Sequence, residues 1–315
     1  MIKKIALGVD IGGTNTVYGF IDKQGFIHDH EEIPTNGSLP VTDLLDRLHD
    51  ATIHYVGKNK MELTGVGIGA PNGNFLTGMI EDPPNLGWGS VDIIKLFKDR
   101  FQCDTTLLTN DANAAALGEK YFGIAKEMDD FILITLGTGL GSGIFSGGKL
   151  VYGYNGLAGE MGHMSIDTSG RKCKCGSTGC LESYVSATGI KNTINQLLEK
   201  SPNDSFLKKI NGPVIDGLLL DFEYDNGNAL AQKIYQFTGE KLGHGLAQAA
   251  ALFNPEAFIF YGGFSNAGSR ILDHAKQSME KLLLDNQKNS ISLMRTGLQQ
   301  GKAGILGAAS LIWEY

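Results

Sequence analysis

The chain is short of three things. Only 4 of its 315 residues are cysteine, only 8 are proline, and no block is rich in lysine or arginine. The net charge of −7 and the missing basic run argue against nucleic acid as a partner. No apolar run approaches the roughly 18 residues that cross a bilayer, so no membrane is expected. The opening "MIKKIALGVD" mimics a signal peptide, but its apolar run Ile5–Val9 stops at Asp10, too short for the core of one. A cytoplasmic protein with reduced thiols is the expectation. With so little proline and no serine-rich stretch, no linker marks a division of the chain. A length of 315 residues, 42% of them hydrophobic, nevertheless suggests two domains rather than one.

What cysteine there is stands together. In "HMSIDTSGRKCKCGSTGCLE", His163 is followed by Cys173, Cys175 and Cys180, while Cys103 lies alone upstream. Three thiols in a reducing compartment do not make a disulfide framework. Three thiolates and an imidazole do make a tetrahedral Cys₃His set, the common closed zinc site. The competing reading is a reactive thiol cluster.

Glycine is plentiful, at 43 residues, and it is patterned. "IALGVDIGGTNTVYGFID" and "FILITLGTGLGSGIFSGGK" each read as strand, Gly-Thr turn, strand. Recurrence of one unit suggests two related domains, each opening with a hairpin. Between and after them, "TGVGIGAPN" and "TTLLTND" read as strands, and "VDIIKLFKDRF" and "ANAAALGEKYFG" as helices, the latter closed by Gly123. "YVSATGIKNTINQLLEK" reads as one helix. A long helix through "AQAAALF" stops at Asn-Pro, before a strand Ala257–Tyr261 and a Gly-Gly turn. "GILGAASLIWEY" closes the chain as a helix. Strands alternating with helices argue an α/β protein.

Glycine turns suit phosphate because bare backbone N–H groups can approach the anion. "GVGIGA" (Gly65–Ala70) fits a loose dinucleotide pattern, but Pro71 follows where a helix is needed. "GIFSGGKL" (Gly143–Leu150) nearly fits a P-loop, but Leu150 stands where a magnesium-binding hydroxyl belongs. The matched pair "DIGGTNT" and "LGTGLGSG" is the better candidate. Asp111, between a short strand and an alanine-rich helix, can be either a helix cap or a base pointing into a site.

Together "DIGGTNT", "LTNDANAAALGE", "LGTGLGSG", "LAGEMGHMSI" and "CKCGSTGCLE" resemble the ROK family of bacterial sugar kinases and repressors, from about Val9 to Ala309. The resemblance implies a two-domain actin-like ATPase (ribonuclease H-like) fold with an interdomain cleft. The expected domains are 1–118, completed by a C-terminal helix 302–315, and 119–301 with the zinc motif. It implies ATP, Mg²⁺ and a structural Zn²⁺ as cofactors. Gly12, Gly13 and Thr14 are expected on the phosphates from one domain, Thr138 and Gly139 from the other. Asp10 is expected to hold Mg²⁺, directly or through water, and Gly262 and Gly263 to pack against adenosine. Asp111 becomes the base. Asn85, Asn110, Glu160, His163 and Glu182 join it on the sugar, with His163 also a zinc ligand beside Cys173, Cys175 and Cys180. With the first glycine turn opening at Asp10, the helix-turn-helix of the family's repressors is not expected. "NDANAAALGE" resembles the glucokinase branch most, with N-acetylmannosamine, N-acetylglucosamine or fructose as other acceptors and a non-catalytic sugar sensor as the reading of another class. Asn72, where that branch often has glycine, bears on the acceptor. The family leads one to expect a homodimer or homotetramer.

Overall fold

The computed structural model describes residues 2–83, 86–299 and 301–314. The chain begins with β1 (Lys3–Ile11), β2 (Asn15–Ile21) and β3 (Ile27–Pro34), an antiparallel meander. Helix α1 (Val41–Asn59) returns it to β4 (Met61–Ala70), parallel to β1. A two-stranded ribbon of β5 (Met79–Ile80) and β6 (Val91–Asp92) leads into α2 (Ile93–Phe101) and β7 (Thr106–Asn110), parallel to β4. The sheet order is β3-β2-β1-β4-β7.

After α3 (Asp111–Phe122) the plan repeats. Strands β8 (Phe131–Leu136), β9 (Leu140–Ser146) and β10 (Lys149–Leu150) come first. Helices α4 (Glu182–Val185), α5 (Ala187–Lys200), α6 (Ser205–Ile210), α7 (Gly217–Asp225) and α8 (Ala229–Phe253) precede β11 (Ala257–Tyr261). Helix α9 (Ser269–Leu282) then carries the chain to β12 (Ser292–Arg295), and α10 (Ala303–Glu314) ends it. The second sheet runs β10-β9-β8-β11-β12, with β11 parallel to both β8 and β12. Each sheet is therefore three consecutive strands followed by two reached through helical crossovers, in the same order.

The burial pattern follows from that plan. Central strands are covered on both faces and read as apolar runs, as in β8, "FILITL". Ile5, Leu7 and Val9 of β1 pack with Leu44 and Leu48 of α1 and Phe97 of α2. The alternate residue Ala6 faces the other way, onto Ile305 and Ala309 of α10. Edge strand β3, "IHDHEEIP", carries charge along an exposed row, which suits an unpaired edge.

The chain divides into two compact units. One is Met1–Asp129, Gly143–Gly159 and Thr296–Tyr315; the other is Asp130–Ser142 and Glu160–Arg295. In the first, α10 lies directly on the sheet. A Cβ on Gly67 of β4 would stand 1.7 Å from the Ala308 carbonyl oxygen, and one on Gly65 would meet Ile312, so these two glycines of "GVGIGA" make room for a helix.

One local expectation needs correction. The segment "YVSATGIKNTINQLLEK" is not one helix. Ser186 adopts an extended conformation (φ −74°, ψ 171°) and caps α5 by accepting the Gly189 N–H, which separates α4 from α5. The dinucleotide-like run lies inside β4, the strand expected there. The long helix does stop at Asn254, in the left-handed conformation just before Pro255. Among the described residues no helix is long and apolar enough to cross a membrane.

Candidate active site and metal centre

In the first unit the turn 12–14 joins β1 to β2. The Gly12 N–H donates to the Asn15 carbonyl (2.9 Å), closing the hairpin. Thr35, at the end of β3 and buried, donates its hydroxyl to the Gly12 carbonyl (2.7 Å) and its N–H to the Thr14 carbonyl (2.8 Å). Its hydroxyl also lies 2.9 Å from that of Thr16. Thr35 thus holds both ends of the turn, a role that no local motif signals.

Asp10 precedes this turn on β1, opposite Gly69 of β4. A Cβ on Gly304 of α10 would fall 2.1 Å from its Oδ2, so the absent side chain is what lets the carboxyl fit. Asp111 starts α3, and a Cβ on Gly69 would lie within 4 Å of both its Cα and the Asp10 Oδ1. Burial, and secondarily the Asp111 charge, pushes Asp10 up to about 7. Burial raises Asp111 as well, against the pull of the Ala112 N–H. Asp111 nevertheless keeps exposed surface, so protein crowds its carboxyl while water still reaches one side. Two desolvated acids of like charge repel, and a cation or a proton between them relieves both the repulsion and the cost of burial. Oxygen donors of this kind fit Mg²⁺.

Asn110, not Asp111, is the residue that caps α3. Its φ and ψ (−65°, 150°) are extended, and its Oδ1 accepts the Ala112 N–H at 2.9 Å. Asp111 is the first helical residue, its Oδ1 taking the same N–H at 2.8 Å. Asn85, expected on the sugar, lies outside the described residues.

In the second unit the turn 137–139 joins β8 to β9. Glu182, at the start of α4, accepts the Leu140 N–H on Oε2 (2.8 Å). Glu160 and His163 flank a 3-10 turn, Met161–His163, and His163 Nε2 is 4.0 Å from Glu160 Oε2. The other ring nitrogen, Nδ1, is 3.9 Å from Cys173 Sγ. Gly262 (φ 101°) ends β11 beside the base of the turn: a Cβ there would meet the Leu136 carbonyl at 2.5 Å.

Ligand atoms of His163, Cys173, Cys175 and Cys180 all lie within 4.8 Å of one another. Cys175 and Cys180 Sγ are 3.6 Å apart. Two sulfurs each about 2.3 Å from one tetrahedral ion would stand about 3.7 Å apart, so the spacing fits zinc. The Ser177 N–H, then Cys173, lowers Cys175 to about 6, while burial, then Cys175, pushes Cys180 up to about 12. Without a cation the cluster favours one thiolate, and a divalent ion would accept all three. Arg171 anchors this loop, its guanidinium donating to the Ser183 and Gly189 carbonyls (3.0 and 2.9 Å) and stacking over Tyr184 at 4.8 Å.

Two sheets of one plan, each opening on a glycine-threonine turn, define an α/β protein of the actin-like ATPase (ribonuclease H-like) class. The chain belongs to the ROK family, which it matches over residues 6–314. It is 35% identical to a glucokinase of Halalkalibacterium halodurans over 97% of this chain and 94% of that one. A crystal structure of a ROK family glucokinase from Streptomyces griseus, in complex with glucose and AMPPNP, is 33% identical with a TM-score of 0.79, covering 98% of both chains. The xylose repressor of Bacillus subtilis is 29% identical, over 98% of this chain but 77% of the repressor.

Proposed function

We propose that this chain is an ATP-dependent hexose kinase that phosphorylates the 6-hydroxyl of glucose. The observation that carries this reading is its full-length likeness to glucokinases, one of them seen with glucose and an ATP analogue. The residues beneath it fit the chemistry. Asp111, as a carboxylate, takes the proton of the sugar hydroxyl while that oxygen bonds to the γ-phosphorus and the bond to the β-phosphate oxygen breaks, releasing ADP. Its raised pKa makes it a better proton acceptor than an ordinary aspartate.

Asn110, Glu160, His163 and Glu182, with Asn85, hydrogen-bond the sugar hydroxyls. His163 uses Nε2 for this, because Nδ1 faces the thiols. Gly12, Gly13 and Thr14, and Thr138 and Gly139, offer N–H and hydroxyl groups to the phosphates, and Gly262 and Gly263 pack against adenosine. Mg²⁺, held by Asp10, would neutralise phosphate charge. The zinc ion would be structural, with four protein ligands and no open position. We place the enzyme in the cytoplasm as a homodimer or homotetramer. The alternative acceptors are N-acetylmannosamine, N-acetylglucosamine and fructose. The repressor likeness supports a second reading, a sugar sensor without turnover. An ADP-release assay over a panel of hexoses and N-acetylhexosamines decides. Glucose should give the highest kcat/KM; another sugar ahead of it moves the acceptor, and no turnover with any sugar favours the sensor.

A further inference from the structure

The second glycine turn has an unusual support. Two positions of it, and the strand residue that follows it, are held by one short segment. Ala187 N–H donates to the Gly137 carbonyl (2.9 Å), the Thr188 hydroxyl to the Thr138 carbonyl (3.1 Å), and Leu140 N–H to Glu182 Oε2 (2.8 Å). Gly139 is shaped to this contact, since a Cβ there would lie 2.5 Å from Glu182 Oε2. The same segment starts two residues after Cys180. Its far side is tied down by Arg171, two residues before Cys173, through the Ser183 and Gly189 carbonyls.

We infer that Glu182–Thr188 is a brace that presets the Gly137–Leu140 turn for nucleotide phosphate, and that Glu182 and Thr188 are positioning residues for ATP. The inference rests on the kinase reading above and deepens it. A loop preset in the geometry that phosphate requires spends less binding energy on its own ordering. One carboxylate oxygen of Glu182 is committed to the turn, leaving Oε1 for a sugar hydroxyl. That single side chain then bears on both substrates, and it reaches the metal loop through two peptide bonds. Thr188 is exposed and makes its contact from the N-terminal turn of α5, so it supports the turn without any role on the sugar.

The test is the affinity for a nonhydrolysable ATP analogue with Mg²⁺, measured calorimetrically in the absence of sugar. Thr188→Val keeps the shape and removes the hydroxyl donor. It should weaken the analogue about threefold to tenfold, the worth of one hydrogen bond, while glucose affinity stays at the wild-type value. Thr188→Ser should restore it. A double-mutant cycle adds a readout that loss of stability alone would not move. Gly139→Ala should weaken the analogue on its own, but much less in a Glu182→Ala background, where the clashing carboxylate is gone. Wild-type affinity in Thr188→Val together with an additive cycle would overturn the brace while leaving the kinase reading intact. A wild-type protein that binds no analogue at all would overturn both.

Discussion

The two glycine-threonine turns occupy the same place in two sheets of the same plan, yet they are fixed by different means. The first is pinned from within its own meander. Thr35, the residue after β3, holds Gly12 and Thr14 through one hydroxyl and one N–H. The second has β10 at the corresponding place in its sheet, but that strand is only two residues long, Lys149–Leu150. Support comes instead from Glu182, Ala187 and Thr188, hung between the thiol cluster and α5. The first turn also follows an acid, Asp10, where the equivalent of β1 in the second sheet ends in Thr135-Leu136. A repeated fold thus differs between its copies: one carries the paired acids Asp10 and Asp111, and the other leans on a segment beside the thiol cluster.

Breaking the charged half should have the largest effect. Asp111→Asn keeps the shape of the side chain but removes its capacity to take a proton. General-base help contributes roughly 10²–10⁴-fold, so kcat for glucose phosphorylation should fall by about that factor with nucleotide affinity retained. Since Asn110 is the helix cap, stability should change little. Near-wild-type turnover would remove Asp111 from the role of base.

Breaking the scaffold half comes next. Cys175→Ser should lose zinc, read by elemental analysis, and weaken glucose by about 10–100-fold, because His163 loses the partner that orients its ring. Full zinc content in that variant would show that the cluster holds its ion without Cys175. The matching change in the first turn is milder. Thr35→Val removes the donor to Gly12 and should weaken the ATP analogue by about threefold to tenfold while leaving zinc content untouched. If it altered zinc content as well, the two turns would not be independently supported.

The features legible in the sequence are those whose residues are close along the chain. Both hairpins, the Asn-Pro stop of α8 and the Cys₃His set are of that kind. Long-range support was not legible. Glu182 reads as a glutamate after a metal motif, and only the folded chain brings it to Leu140. Thr35 lies in no motif of the sequence. Glu119 in "LGEKYF" carries no signal of its own on the alanine-rich helix. It is fully buried, accepting the Gly297 N–H (3.1 Å), the Ile124 N–H (2.9 Å) and the Thr296 hydroxyl, and so ties α3 to the segment before α10. Helices α1 and α9 and strands β3 and β12 also escaped a reading centred on glycine turns, because their signal is amphipathic patterning alone. The Ser186 break was hidden because Ser and Thr occur both inside helices and at caps.

The smallest effect concerns Asp10 and needs no substrate. Its pKa of about 7 in the folded chain stands above the ordinary 3.8, chiefly through burial and then through the Asp111 charge. The native state therefore holds this proton more tightly than the unfolded chain does. The corresponding stability is fully present below about pH 4 and is lost as pH rises through about 7. Asp10→Asn removes the titration while keeping a neutral side chain of the same shape. At pH 5, ligand-free and without Mg²⁺, the variant should unfold only slightly above the wild type, since most of that loss comes at higher pH. At pH 8.5 the variant should be the more stable by a few degrees, since about 1 kcal/mol moves the midpoint of a protein of this size by roughly 2–4 °C. Thermal unfolding at both pH values checks it. A gap between the two proteins that stays constant from pH 5 to pH 8.5 would mean that Asp10 is already ionised in the free protein, and that the first turn does not store the charge strain that a cation would relieve.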